Sequence, residues 1–183
     1  ANILFNNTSF IYDKRKQFWR YDKLEGIWKI DADQFIRTEL RNSLMGDEQQ
    51  KKYYAEEVVS YIKDKSYKGD FEFRKNPYAI AFKNKVFNLK KDEFESYEPG
   101  HHITNKIGIE IGEVKECPVI DKFFTDRLDK DHKNMLYDLG AYALFTDYPY
   151  QKLFFIFGPP KTGKSKCLAL FERFLGKQNC SMV

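Results

Sequence analysis

The chain has 183 residues, of which 42% are apolar, 32% charged and 17% aromatic. That is one domain, or one and part of a second, and it argues against collagen-like, disordered and membrane classes. The net charge of +4 divides into +3 over residues 1–30, +4 over 158–183 and −3 between them, with no basic stripe of the kind that binds a phosphate backbone unaided. The longest apolar run, Leu153–Phe157, is far below the ~20 residues that cross a bilayer.

In chain order, the first segment reads as β. Phe18–Tyr21 and Ile27–Ile30 alternate around a turn containing Gly26, a hairpin signal. Asp31 and Gln34 stand at capping-box spacing before Ile36, Leu40 and Leu44, which predicts a helix over 32–45 ending near Gly46. A second helix over 48–64 follows from Ala55, Val58, Val59 and Ile62, with Tyr53 and Tyr54 on it. Residues 79–82, 86–89 and 94–97 are three short β runs, a small antiparallel meander. Ile107, Ile109 and Ile111 alternate as one more strand. Cys117-Pro118 opens a helix with Ile120, Phe123, Phe124 and Leu128 on one face. Asp131 stands as the cap of another over 132–146, closed by Asp147-Tyr148-Pro149, with Met135, Leu136, Leu139, Tyr142 and Ala143 inward. Gly140 in mid-helix costs about 1 kcal/mol against Ala, which implies close packing on a neighbour. The domain bounds expected are 1–70, 71–146 and 147–183.

Several other residue types read as structural. His101 and His102 have no spaced metal-ligand partners and read as a solvated loop. His132 reads as a surface residue at a helix start. The pairs Glu56-Glu57 and Asp92-Glu93 read as solvated faces. Trp19, Trp28, Tyr53 and Tyr54 could stack on bases, but hairpin or core packing is the stronger expectation. The three cysteines, Cys117, Cys167 and Cys180, form no CxxC pair, so neither zinc nor a disulfide framework is indicated and a reducing cytoplasm fits. The start, Ala1 to Phe5, has no leader pattern, and both ends read as cuts through a larger protein.

The chemistry concentrates at Gly158-Pro159-Pro160-Lys161-Thr162-Gly163-Lys164-Ser165, which satisfies G-x-x-x-x-G-K-[ST]. Residues 152–157 before it have the pattern of a buried parallel strand. Cys167, Leu168, Phe171, Phe174 and Leu175 after it have helical spacing, and Gly176 sits at the C′ position. In such a loop the glycines let the backbone wrap phosphate oxygens, with amides from about 161 to 166, Lys166 included, turned inward. Lys164 would place its ammonium at the β- and γ-phosphates as the catalytic cation. Ser165 would offer its hydroxyl to Mg²⁺. The expected ligand is a nucleoside triphosphate with Mg²⁺, which the family resemblance below narrows to ATP.

The order of the pieces resembles phage and plasmid primase–helicases. Asn76–Leu89 is similar to their IAFKNGVLDL-like strand pair, with Lys85 where Gly is usual. Pro99–Asn105, Cys117-Pro118, Gly140–Asp147 and Gln151–Ser165 follow in the family's order. The likeness is to a poxvirus-type helicase N-terminal domain joined to a superfamily 3 core. It is loose over 10–183 and closer over 76–176.

The resemblance implies an α+β N-terminal domain, helices plus a small antiparallel sheet. The first β-strand, P-loop and α-helix of an α/β AAA+-like NTPase would follow. It implies an ATP-dependent replicative DNA helicase of a phage, plasmid or integrated element. Such proteins are homo-oligomeric rings on single-stranded DNA, often behind a primase, in the cytoplasm and away from membranes. Walker B acid, sensor and arginine finger are expected beyond Val183, so this stretch alone is expected to be inactive. The alternative is a non-catalytic DNA- or protein-docking or oligomerisation module. A small-molecule kinase is disfavoured by the late position of the loop.

Overall fold

A computed structural model describes residues 8–43, 48–71, 73, 76–113, 116–145 and 150–181. Expectations at Leu44, Gly46 and Asp147–Pro149 lie outside these residues. The chain divides into two compact units, one of Ala1–Asn76 with Tyr97–Asn105 and one of Pro77–Ser96 with Lys106–Val183.

The first unit holds β1 (Phe10–Asp13), β2 (Phe18–Asp22), β3 (Ile27–Lys29), α1 (Ala32–Ser43), α2 (Glu48–Ser66) and β4 (Tyr67–Lys68). The sheet order is β3-β2-β1-β4, antiparallel except for β1 with β4. Side chains alternate across a strand, and here both faces are covered. Phe10 and Phe18 meet Ala32, Ile36, Val59 and Ile62 from the helices. Ile11, Trp19, Tyr21 and Trp28 meet Phe71 and Phe73 on the other side.

The expected hairpin is present, with Tyr21 opposite Trp28 in register and their rings 5.6 Å apart. Its turn is tied by Asp22, whose Oδ1 accepts from the Leu24 and Glu25 amides and whose Oδ2 accepts from Lys29. Burial pushes the Asp22 carboxyl up, but those bonds outweigh it and hold it below its ordinary value. Asp31 takes a bidentate hydrogen bond from Arg20, whose guanidinium also lies 4.2 Å from the Phe35 ring centre. The second helix is as expected, with Ala55, Val59 and Ile62 buried. Tyr53 and Tyr54, expected to pack, are instead exposed, because they fall on the face of α2 opposite that apolar stripe.

Residues 97–105 return to this unit. Trp28 donates its Nε1–H to Pro99 O at 2.9 Å, and its amide bonds Ile103 O at 2.7 Å. His102, expected in a solvated loop, is half-buried against Phe71 and Phe73, with ring centres 5.6 and 5.1 Å away. Burial, with a smaller push from Lys68, holds its imidazole below 6.5. His101 Nδ1 accepts from the Glu98 amide.

The second unit opens with the expected antiparallel meander of β5 (Ala79–Ala81), β6 (Val86–Asn88) and β7 (Glu93–Glu95). The further strand expected at 107–111 is reduced to a single parallel bridge, Phe82 with Ile107. Beyond it the Lys83 amide bonds Ile109 O and Asn84 brackets Ile111, so a side chain replaces the next ladder step. Ile80, Phe82 and Ile107 form the core there, with Leu144 packed on it.

Three helices follow: α3 (Pro118–Thr125), α4 (Lys130–Tyr142) and α5 (Lys164–Leu175). The cap of α4 is Asp129, not Asp131, because Asp129 is the residue with extended backbone, and its carboxylate accepts from the His132 amide at 2.9 Å. The helix therefore starts earlier, at Lys130. Met135 and Ala143, expected inward, are exposed. Gly140 is buried, and a Cβ there would stand 3.2 Å from the Phe171 ring, which is the close approach its position implied.

The strand expected at 152–157 is not formed: these residues are irregular and exposed, Leu153 to 77% and Phe157 to 86%. An apolar run becomes a buried strand only with a hydrogen-bonded neighbour. Among the described residues this segment has no ladder partner. No helix of the described residues is long and apolar enough to cross a membrane.

Candidate functional site

The loop from Gly158 to Gly163 leads directly into α5. Its shape is set by backbone torsions that few residues tolerate. Lys161 has φ 66° and Gly163 φ 95°, both left-handed. At Gly163 the left-handed backbone disfavours a side chain, and a Cβ would also fit tightly, 3.2 Å from the Phe123 ring and 3.4 Å from Arg127 Nε. Gly163 is the N-cap of α5, and the first bond inside the helix runs from the Cys167 amide to Gly163 O. The amides of Lys164, Ser165 and Lys166 thus have no partner within the helix.

The charge around that helix end is one-sided. Among the described residues no side chain caps it, and its first turn carries no acidic residue. Lys164 and Lys166 stand there instead, against the partial positive charge of the helix N-terminus. For the helix alone this is unfavourable, whereas for an anion it is a set of convergent donors.

Lys164 lies across the loop. Its Nζ donates to Gly158 O at 2.7 Å, to Pro159 O at 2.6 Å and to Thr162 Oγ1 at 3.4 Å. Thr162 Oγ1 in turn donates to Pro159 O at 2.9 Å, which fixes the bend. Pro159, Pro160 and Lys161 are exposed, and Ser165 and Lys166 are exposed in the first turn of α5. Behind Lys164 the buried Cys167 thiol is pushed above its ordinary value by desolvation.

The sequence-predicted residues are therefore contiguous in space as well as in sequence. Two residues outside the motif also border the loop. Phe123, on α3, and Arg127, in the turn after it, line a cavity of about 200 Å³ together with Gly158, Thr162 and Lys164. No local pattern joins positions this far apart; the i, i+4 spacing of Phe123 and Arg127 was the only trace. Among the described residues no three His, Cys, Asp or Glu side chains converge as a metal cluster.

The family model described as D5 N terminal like matches residues 4–129, more than half of the chain. The chain belongs to the D5 N-terminal-like family. Domains of this family occur in phage- and plasmid-type primase–helicase proteins and are associated with replication. The D5-like match takes in all of the first unit's sheet and runs through α3. The Gly158–Ser165 loop lies beyond its end. No curated protein matches the chain.

Proposed function

We propose that the D5-like chain is the N-terminal part of an ATP-dependent replicative DNA helicase of the primase–helicase type, and that Gly158–Lys166 binds the triphosphate of ATP. The observation that carries this reading is the helix end with three amides, two lysines, no side-chain cap and no acid. Gly158, Pro159, Pro160, Lys161, Thr162 and Gly163 form the wrap. Lys164 is the cation of the β- and γ-phosphates. Ser165 would offer its hydroxyl to Mg²⁺, and that metal would supply charge neutralisation for phosphoryl transfer. The protein's own contribution would be the helix dipole and the lysine at the bend, whose bonds to Gly158 O, Pro159 O and Thr162 Oγ1 would be exchanged for phosphate oxygens.

In this reading the partners are single-stranded DNA, further copies in a homo-oligomeric ring and a primase, all in a cytoplasmic replication setting. The test is titration of this chain with a fluorescent ATP analogue and Mg²⁺, comparing Lys164→Ala. Removing one charge-assisted contact weakens binding by about tenfold or more. Equal affinity in the two proteins would remove the basis for the reading.

A second reading, a docking or oligomerisation module without catalysis, is favoured by the exposed apolar run Leu153–Phe157. It expects self-association that persists in Lys164→Ala and is insensitive to nucleotide.

A further inference from the structure

We infer that Arg127 is a second phosphate-binding cation of the same loop, reaching the polyphosphate of the nucleotide from the turn that follows α3. The inference rests on the reading that Gly158–Lys166 binds a triphosphate, and it adds a residue from outside the motif.

Three observations place it. Arg127 Nε would be 3.4 Å, and its Cδ 3.5 Å, from a Cβ on Gly163, so the side chain lies directly along the residue that begins α5. It lines the cavity that Gly158, Thr162 and Lys164 also line. And it is held there: its guanidinium carbon stands 4.3 Å from the Phe123 ring centre, and its Nη1 donates to Phe123 O at 2.9 Å.

The chemistry fits an anion. A guanidinium carries five N–H donors in a rigid fork that matches phosphate oxygens two at a time. Stacking on Phe123 fixes the plane of that fork before a ligand arrives, which lowers the ordering cost of binding. The acid next in sequence, Asp126, is paired with Lys122 at 3.2 Å. Arg127 therefore joins Lys164 at one cavity wall with no acid in the first turn of α5 to balance them. Like charges gathered in this way repel, and an entering polyphosphate turns that repulsion into attraction.

The experiment is calorimetric titration of the chain with Mg-ATP and, separately, with inorganic tripolyphosphate and Mg²⁺. The variants are Arg127→Ala, Arg127→Gln, Arg127→Lys and Lys164→Ala. Arg127→Ala and Arg127→Gln are expected to weaken both ligands by about tenfold, with Arg127→Lys intermediate. The salt dependence of binding should flatten in step with the lost contact. Arg127→Gln keeps the length of the side chain, so a loss shared by both variants with unchanged far-ultraviolet dichroism is not misfolding. If Arg127→Gln binds tripolyphosphate like wild type while Lys164→Ala does not, Arg127 is not a phosphate ligand and the loop reading stands. If it weakens ATP but not tripolyphosphate, the residue meets the base and the inference is wrong. If Lys164→Ala is also unaffected, both fail together.

Discussion

Replacing Asp13 by alanine tests whether the first unit is organised by one buried carboxylate. Asp13 is fully buried at the end of β1. Its Oδ1 accepts from the Arg15 and Gln17 amides at 3.0 and 2.9 Å, which shapes the turn into β2. Its Oδ2 accepts from Trp19 Nε1 at 3.3 Å and the Phe73 amide at 3.5 Å, which ties a distant segment to the sheet. The turn also needs Lys16 at φ 61°, a conformation the carboxylate helps to hold. Trp19 is buried, so without Asp13 its indole N–H is orphaned, at about 1–3 kcal/mol. The turn amides recover water in part and add about 0.5–1 kcal/mol each. Relief of carboxylate desolvation offsets some of this, leaving a net loss of about 3 kcal/mol for Asp13→Ala. That corresponds to a fall in Tm of about 6–12 °C for a chain of this size. Asp13→Asn keeps one acceptor oxygen and should lose about half as much. Urea unfolding followed by tryptophan fluorescence measures both. An Asp13→Ala loss below about 1 kcal/mol, or an asparagine variant worse than alanine, would refute the reasoning.

Two further outcomes follow from the same unit. Gly26 has φ 71°, and a Cβ there would overlap the Tyr97 ring, so Gly26→Ala should cost about 2 kcal/mol or more in urea unfolding. Adding Tyr97→Ala to it removes the overlap but not the backbone strain, so the two losses should be less than additive. His102 is held below its ordinary 6.5 in the folded state, so the unfolded chain binds the extra proton first. Its contribution to stability is complete above about 6.5 and is lost as pH falls through the folded value. The urea midpoint should drop more steeply from pH 7.5 to 5 in wild type than in His102→Asn, which tolerates the left-handed backbone at φ 51°.

What was legible in the sequence was what neighbours in sequence decide. The β2–β3 hairpin, α2 and the β5–β7 meander follow from alternation or helical spacing over a few residues. Gly140 in mid-helix implied a close neighbour, and Phe171 is that neighbour. What was not legible depends on partners far along the chain. β4 is two residues long and exists by parallel pairing with β1, across the whole of α1 and α2. His102 was misread because Phe71 and Phe73, which enclose it, carry no local sign of doing so. At 152–157 the apolar pattern was right for a buried strand, but a pattern supplies no ladder partner. The motif itself was readable because its residues are adjacent. Phe123 and Arg127, which meet it through Gly163, were not.

Lys164 ties the start of the loop to the first turn of α5. An ammonium has three N–H donors. Those of Lys164 point at Gly158 O, Pro159 O and Thr162 Oγ1, all within the loop. These are neutral acceptors, whereas a phosphate oxygen is anionic and would attract the ammonium by charge as well. On the proposed reading, an entering phosphate would compete for the same donors. Until then the lysine braces the bend from inside. The like-charge repulsion at the first turn of α5 is borne partly by those carbonyl dipoles. On the proposed reading, the residue that would bind the anion is also the one that links Gly158, Pro159 and Thr162 through its ammonium.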